Sequence, residues 1–366
     1  MQLPFNFEPK RKTDKGMPVP DYRSLPDKIS DFILAILRGL LIVLILVMVF
    51  LENYPIEKKS LRSQPRPSLS FEESLRRIEA LKQSDPGNTG LRGHTIAMHY
   101  NKKTDKVIVF FHGFTNSPRQ FEDLAEKFFE DGYNVLIPRV PHHGLERSME
   151  KELNRLTAEE MRTLADEAID IAQGLGDKVI VSGLSMGGVM AGWAAQMRND
   201  IDLAVVIAPC FGTYKLPNRF LKHSINLLHL YPDRFIWWDR ELKSDLIRPL
   251  NAYRGFSSRA LGEIRRLAWM VQERSAEAEP AANKILLITN ANDKVVNQES
   301  IDVIRDHWQA EAPEKLRTYR FPQALELGHD LIDPHQPNQK TDVVYPKVIE
   351  LIEQLVEEVE KKNKKK

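Results

Sequence analysis

The residues best placed to do chemistry lie in Val179-Ile-Val-Ser-Gly-Leu-Ser-Met-Gly-Gly188. The β-branched run at 178–181 reads as a buried strand. It breaks at Gly183-Leu-Ser-Met-Gly187, and residues 188–197 resume as a helix rich in small side chains. A serine at a strand-to-helix turn, with glycine two residues to either side, is the G-x-S-x-G nucleophile-elbow pattern. Ser185 must then project its hydroxyl from a cramped turn at the edge of a sheet. Side chains at 183 and 187 would collide with the neighbouring strand and helix, which is a physical reason for both glycines. Five letters alone are a weak signal, and the strand and helix around them carry the reading. The alternative is a glycine-rich turn with no chemistry.

The elements that must position this serine follow from the rest of the chain. A length of 366 residues suits one large α/β domain with an appendage. A net charge of +1 implies neither nucleic acid nor an acidic partner. Cys210 is the single cysteine, so an intrachain disulfide and a cysteine-based metal site are both excluded. Its apolar surroundings mark it as a small buried hydrophobe.

Residues 1–31 are polar, proline-bearing and of mixed charge, and are expected to be flexible. Residues 32–51 are apolar except for Arg38, long enough for one transmembrane helix, with Arg38 able to snorkel to the headgroups. A cleaved signal peptide is the alternative. The long polar leader, the length of the run and the lack of a small-x-small cleavage site argue against it. Basic residues are nearly balanced across the two flanks. Lys10, Arg11 and Arg38 tilt the orientation toward a cytoplasmic N-terminus and an extracytoplasmic catalytic domain.

Residues 52–69, charged and proline-bearing, read as a linker between membrane and domain. Ser70 to Glu73 has capping-box spacing and opens a helix. An opening strand is expected within 90–100. Strands at 106–111, 134–138, 178–182, 203–208, 284–289 and 316–321 then alternate with helices at 118–131, 158–174, 257–273, 298–308 and 341–360. Short continuous apolar strands between helices predict a mostly parallel sheet covered on both faces. The tail at 361–366 is a solvated charge run. Residues 212–255 interrupt the alternation with aromatic and basic residues, where an inserted cap would overhang Ser185. Phe235, Trp237 and Trp238 are its candidate substrate-binding residues, lining an apolar acyl pocket. They would otherwise fill space between cap and core, or dip into a bilayer interface.

With Phe110-Phe-His-Gly-Phe-Thr-Asn-Ser-Pro118, Pro138-Arg-Val-Pro-His-His-Gly144 and the 183–188 elbow together, the chain resembles the α/β-hydrolase superfamily over residues 70–360. The likeness is to the branch of bacterial carboxylesterases, monoacylglycerol lipases and serine-aminopeptidase-like hydrolases. Such enzymes carry a triad in the order Ser, acid, His. The resemblance places the acid at Asp293, after the strand at 284–289, and the histidine at His329 in Glu326-Leu-Gly-His-Asp330. Asp330 is a less suitable acid, since a neighbour in sequence points elsewhere. The family usually has glycine three residues before the acid. Here it is Asn290, which tolerates left-handed backbone. The resemblance assigns the oxyanion hole to the backbone N–H groups of Phe114 and Met186, each such donor worth roughly 3 kcal/mol in comparable sites.

The function expected from this resemblance is a membrane-anchored serine hydrolase cleaving lipid-like or other apolar carboxylic esters through an acyl-enzyme. It would need no cofactor and no metal, and would take a small-molecule or lipid ester rather than nucleic acid. Peptide or amide hydrolysis, thioester hydrolysis and acyl transfer share the same triad. A non-catalytic binding module on this fold is the reading from another class. His112 is read as a loop-fixing residue and not a catalyst, and His142 and His143 as ordering the loop after the second domain strand, with substrate contact the alternative; His142, His143 and a carboxylate show no metal-ligand spacing.

Overall fold

The computed structural model describes residues 25–87, 89, 93–145, 152–238, 252–337 and 339–363. Parts of the expected flexible leader (1–24), opening strand (90–92), cap (239–251) and charged tail (364–366) lie outside the described residues. The chain divides into two units, Met1–Asn53 and Tyr54–Lys366.

Within the first unit, helix α1 spans Leu25–Asn53. Its 29 residues are long and apolar enough to cross a membrane. It begins seven residues before the expected apolar run, so residues 25–31 are helical and not loose. Pro26 at the start and Asp27 in the first turn suit a helix N-terminus.

The second unit is built on a seven-stranded sheet. Its strands are β1 (Ile96–Met98), β2 (Thr104–Phe111), β3 (Asn134–Ile137), β4 (Gly176–Leu184), β5 (Leu203–Ile207), β8 (Lys284–Asn290) and β9 (Leu316–Phe321). Their order is β1-β3-β2-β4-β5-β8-β9. The β1–β3 pair is antiparallel and every other neighbour is parallel. β2, β4 and β5 are continuously apolar at their centres because both faces are covered. One buried cluster joins one face of the sheet to helices α4 (Ala158–Leu175), α5 (Met186–Met197), α7 (Ser258–Glu277) and α8 (Gln298–Glu311). A second joins the other face to α3 (Glu122–Glu130) and α9 (Thr341–Asn363). The expected α/β-hydrolase architecture is therefore present, with the opening strand realised as β1.

The expected cap at Ser70 is formed, and a second, which the sequence reading did not name, opens α4. Ser70 Oγ accepts the Glu73 N–H (3.2 Å) at the start of α2 (Phe71–Ser84). Thr157 and Glu160 form a full capping box on α4.

Of the expected linker at 52–69, α1 takes the first two residues, and residues 58–68 dock on the second unit. Leu61 is fully buried, and its carbonyl accepts the Trp193 indole N–H at 2.8 Å. Two carboxylates of α4 then bind the passing backbone: Asp166 accepts from Gln64 N–H (2.9 Å), and Asp170 from Arg66 N–H (2.8 Å). Arg198, also buried, pairs with Asp166 (3.0 Å), Asp170 (2.7 Å) and Asp200 (2.7 Å), so the acids are neutralised where they are desolvated. Composition pointed only to a linker, because the docking runs through backbone amides, which every residue carries.

In the expected cap, α6 (Leu221–Leu230) is followed by an antiparallel pair, β6 (Phe235–Trp237) with β7 (Gly255–Ser257). Leu61→Ala should lower unfolding free energy by about 2–5 kcal/mol, measured by chemical denaturation of the detergent-solubilised chain. A segment that merely tethers would give no loss.

Candidate active site

Ser185 stands where β4 meets α5, with φ 59° and ψ −112°, a backbone rare for a residue with a side chain. Its N–H donates to the Ile207 carbonyl at 3.0 Å, so β5 holds the turn from one side. The glycines relieve crowding as their spacing suggests. A Cβ on Gly183 would come within 2.0 Å of the Gly187 carbonyl oxygen, and one on Gly187 within 1.9 Å of the Phe111 carbonyl oxygen. Either substitution would push β4, α5 and β2 apart at the serine.

Asp293 and His329 lie in the loops after β8, which pairs with β5, and β9, which pairs with β8. His329 Nδ1 lies 2.7 Å from Asp293 Oδ2. Asp293 Oδ1 accepts the backbone N–H groups of Val295 (2.8 Å) and Val296 (3.2 Å), which fixes the carboxylate. Burial raises the Asp293 pKa, but the imidazole and these amides outweigh it, and the net shift is downward. For His329 burial favours the neutral ring, yet the hydrogen bond and charge of Asp293 prevail and its pKa lies above the usual 6.5. Its second nitrogen, Nε2, is buried without a hydrogen-bond partner. Ser185 and His329 line the same cavity, of about 370 Å³. No hydrogen bond joins them in this structure, and such bonds commonly tighten only with substrate bound.

Asp330 also lines the cavity but accepts from Gln120 Nε2 at 3.1 Å. Asn290 departs from the expected role. It ends β8, and its side chain does the work: Nδ2 donates to the carbonyls of Leu327 (2.8 Å) and Gly328 (2.9 Å), while Oδ1 accepts the Asn292 N–H (3.0 Å). Asn290 thus ties the turn bearing His329 to the end of the strand that leads into Asp293, which glycine could not do.

Phe114 lies in the turn after β2, where the Asn116 N–H returns to the Gly113 carbonyl at 3.2 Å. Met186 opens α5, where backbone N–H groups have no intrahelical acceptor. At Gly113 the Gln120 carboxamide packs where a side chain would start and accepts the Gly113 N–H at 2.7 Å. His112 is fully buried. Its Nε2 accepts the Val140 N–H (3.1 Å) and its Nδ1 faces the Gly113 carbonyl (2.9 Å); burial pushes its pKa down to about 4. It is a neutral strut between two loops. His142 pairs with Glu160 (3.1 Å), and His143 stacks parallel to Tyr253. Among the described residues no group of His, Cys, Asp and Glu could hold a metal ion.

Of the three aromatics expected to meet substrate, Trp238 lines the cavity, and its indole N–H donates to Thr115 Oγ1 at 3.1 Å. Phe235 and Trp237 are not among the lining residues. They meet edge to face, and Phe235 packs toward Leu145, Leu153 and Tyr253. Tyr253, Phe256 and Leu261 line the cavity and escaped the sequence reading, because no local spacing separates a wall aromatic from a core one.

A family model described as serine aminopeptidase, S33, matches residues 102–321. The chain is 23% identical over 207 residues to a thermostable monoacylglycerol lipase of Bacillus sp. (strain H-257), covering 54% of this chain and 74% of that one. Similar folds include a monoacylglycerol lipase of Paleococcus ferrophilus (TM-score 0.54, 15% identity, 72% and 98% of the two chains). Another is a soluble variant of monoglyceride lipase from Saccharomyces cerevisiae in complex with a substrate analog (TM-score 0.55, 12% identity, 72% and 91%).

Asn290→Ala should free two carbonyls of the histidine turn and weaken the His329–Asp293 pair. The pH at which His329 titrates, followed by imidazole NMR, should then fall toward the ordinary value. An unchanged titration would show that Asn290 does not hold the pair.

Proposed function

Because the chain belongs to the serine aminopeptidase S33 family of α/β-hydrolases, we propose that it is a serine hydrolase of the lipase and esterase type. Ser185 is its nucleophile, His329 its general base and Asp293 the orienting acid. The observation that carries this is the buried His329–Asp293 pair, with Nε2 unpartnered in the cavity that Ser185 lines. The substrate is a carboxylic ester with an apolar acyl group. Phe114, Trp238, Phe256, Leu261 and Val295 supply the apolar wall, and the Bacillus relative and both structural neighbours named above act, by their names, on monoacylglycerols or monoglycerides. α1 is a membrane anchor that keeps the enzyme beside lipid esters, with the catalytic unit on the extracytoplasmic side.

Each step uses this chain's own atoms. His329 Nε2 takes the Ser185 proton as Oγ attacks the carbonyl carbon. The oxygen that becomes negative is met by the Phe114 and Met186 N–H groups, fixed before the reaction. Asp293 holds the imidazole with Nε2 toward the serine and stabilises the imidazolium. The imidazolium then protonates the leaving alcohol. Water, deprotonated by the same nitrogen, attacks the acyl carbon, and Ser185 leaves with the proton returned to it. Amide hydrolysis is the second reading, favoured by the family's aminopeptidase description.

A fluorophosphonate probe should label the wild-type chain and not Ser185→Ala. Labelling that survives the substitution would exclude Ser185 as the nucleophile. Among p-nitrophenyl esters of rising acyl length, with aminoacyl anilides alongside, esters should be cleaved faster; a preference for the anilides would replace the ester reading by the second.

The active form of His329 is neutral, and its folded pKa is raised. The kcat/KM for a p-nitrophenyl ester should therefore climb with pH through an acid limb centred above 6.5. Asp293→Asn removes the charge that raises it, so the limb should move to lower pH and kcat fall by roughly 10⁴. A limb unmoved by Asp293→Asn would separate the two residues functionally.

A further inference from the structure

Among the described residues, one of four buried arginines has no counter-charge. Arg139 binds Asp85, Arg198 binds three aspartates, and Arg266 pairs with Glu159 and Glu263. Arg265 keeps 6% of its surface, and no ion pair among the described residues includes it. Its Nη2 donates to Thr213 Oγ1, and its Nε is buried without a partner. A desolvated guanidinium is costly unless an anion or several hydrogen-bond acceptors meet it, and among the described residues this one meets a single neutral hydroxyl.

Its position says where an anion would come from. Thr213, Cys210 and Leu261 all line the cavity that holds Ser185 and His329, whereas Arg265 is not among its lining residues and reaches that wall through its hydrogen bond to Thr213. Leu261 lies four residues before Arg265 on α7, hence on the same helix face. Cys210 is next to the nucleophile, its N–H donating to the Ser185 carbonyl at 3.0 Å. The Thr213 hydroxyl accepts from Arg265, which leaves its own proton for a ligand. The carboxylate on the cavity wall, Asp330, sits in the His329 turn and is engaged by Gln120.

We propose that Arg265 and Thr213 form an anion-recognising subsite behind the Ser185 wall, and that the preferred substrate is an ester carrying a carboxylate or phosphate. The guanidinium fork fits either group in two parallel hydrogen bonds, and the Thr213 O–H adds a third. The inference rests on Ser185 being the nucleophile, and it narrows the substrate from apolar esters in general to apolar esters with an acidic end.

The test compares two esters of equal length on the full chain in detergent: p-nitrophenyl valerate, which is neutral, and mono-p-nitrophenyl glutarate, which ends in a carboxylate. Wild type should prefer the glutarate ester in kcat/KM by about tenfold or more, and Arg265→Met should collapse that ratio by at least about tenfold. Arg265→Lys, which keeps the charge but loses the fork, should retain part of it. Glutarate and inorganic phosphate, as competitors of valerate hydrolysis, separate the two anion classes, and whichever inhibits more strongly is the better match. Equal or better cleavage of valerate by wild type, or an unchanged ratio in Arg265→Met, overturns the subsite while leaving the hydrolase reading intact. Absence of both hydrolysis and fluorophosphonate labelling would instead remove the nucleophile. Glutarate-dependent thermal stabilisation of wild type then decides the subsite alone, and none means no subsite. If Arg265→Met does not fold, the wild-type ratio and glutarate stabilisation decide between a subsite and none.

Discussion

The close approach of three backbones at one point governs this domain. The carbonyl of Phe111 at the end of β2, the first turn of α5 and the end of β4 meet where a single methyl group on Gly187 would overlap an oxygen. Ser185 can hold its strained backbone only because that contact is closed and because the β5 carbonyl of Ile207 binds its N–H. The same parallel pairing carries the loop after β2, with Phe114, to one side of the serine. It carries the loops after β8 and β9, with Asp293 and His329, to the other. Ser185 and His329, from distant parts of the sequence, thus line one cavity at the C-terminal edge of the sheet, with Asp293 bonded to the imidazole.

The parts fixed by backbone rules were legible in the sequence. Short apolar strands between helices have few ways to pack, and the Ser70–Glu73 and Gly183–Gly187 spacings each answer to one local geometry. Asp293 and His329 could be placed only through resemblance, since nothing around a lone Asp or His reveals a partner 36 residues away. Contacts made by tertiary approach were not legible. Asn290 looked like a glycine substitute chosen for its backbone, whereas its side chain ties two loops together. Residues 58–68 looked like a spacer, because their docking uses main-chain amides. The cavity wall was only partly found: Trp238 faces it, while Phe235 and Trp237 pack elsewhere and Tyr253 and Phe256 take their place.

Trp238 and Tyr253 are tied to the loop that carries Phe114. Thr115, next to Phe114, has a left-handed backbone, accepts the Trp238 indole on its hydroxyl and accepts the Tyr253 N–H on its carbonyl. The Tyr253 hydroxyl in turn accepts the Leu145 N–H at 2.8 Å. Whatever fills the cavity therefore presses on the loop that carries Phe114, so under the proposed mechanism substrate shape bears on the oxyanion donor.

The central claim is that Ser185, His329 and the two backbone amides converge on one reacting carbonyl. A crystal structure of the chain after reaction with an alkyl phosphonate tests it most directly, because the adduct mimics the tetrahedral intermediate. The phosphorus should be bonded to Ser185 Oγ, with one oxygen about 2.7–3.1 Å from both the Phe114 and Met186 nitrogens and His329 Nε2 hydrogen-bonded at the leaving-group position. An adduct on another residue, or a phosphonyl oxygen turned away from both amides, would contradict it.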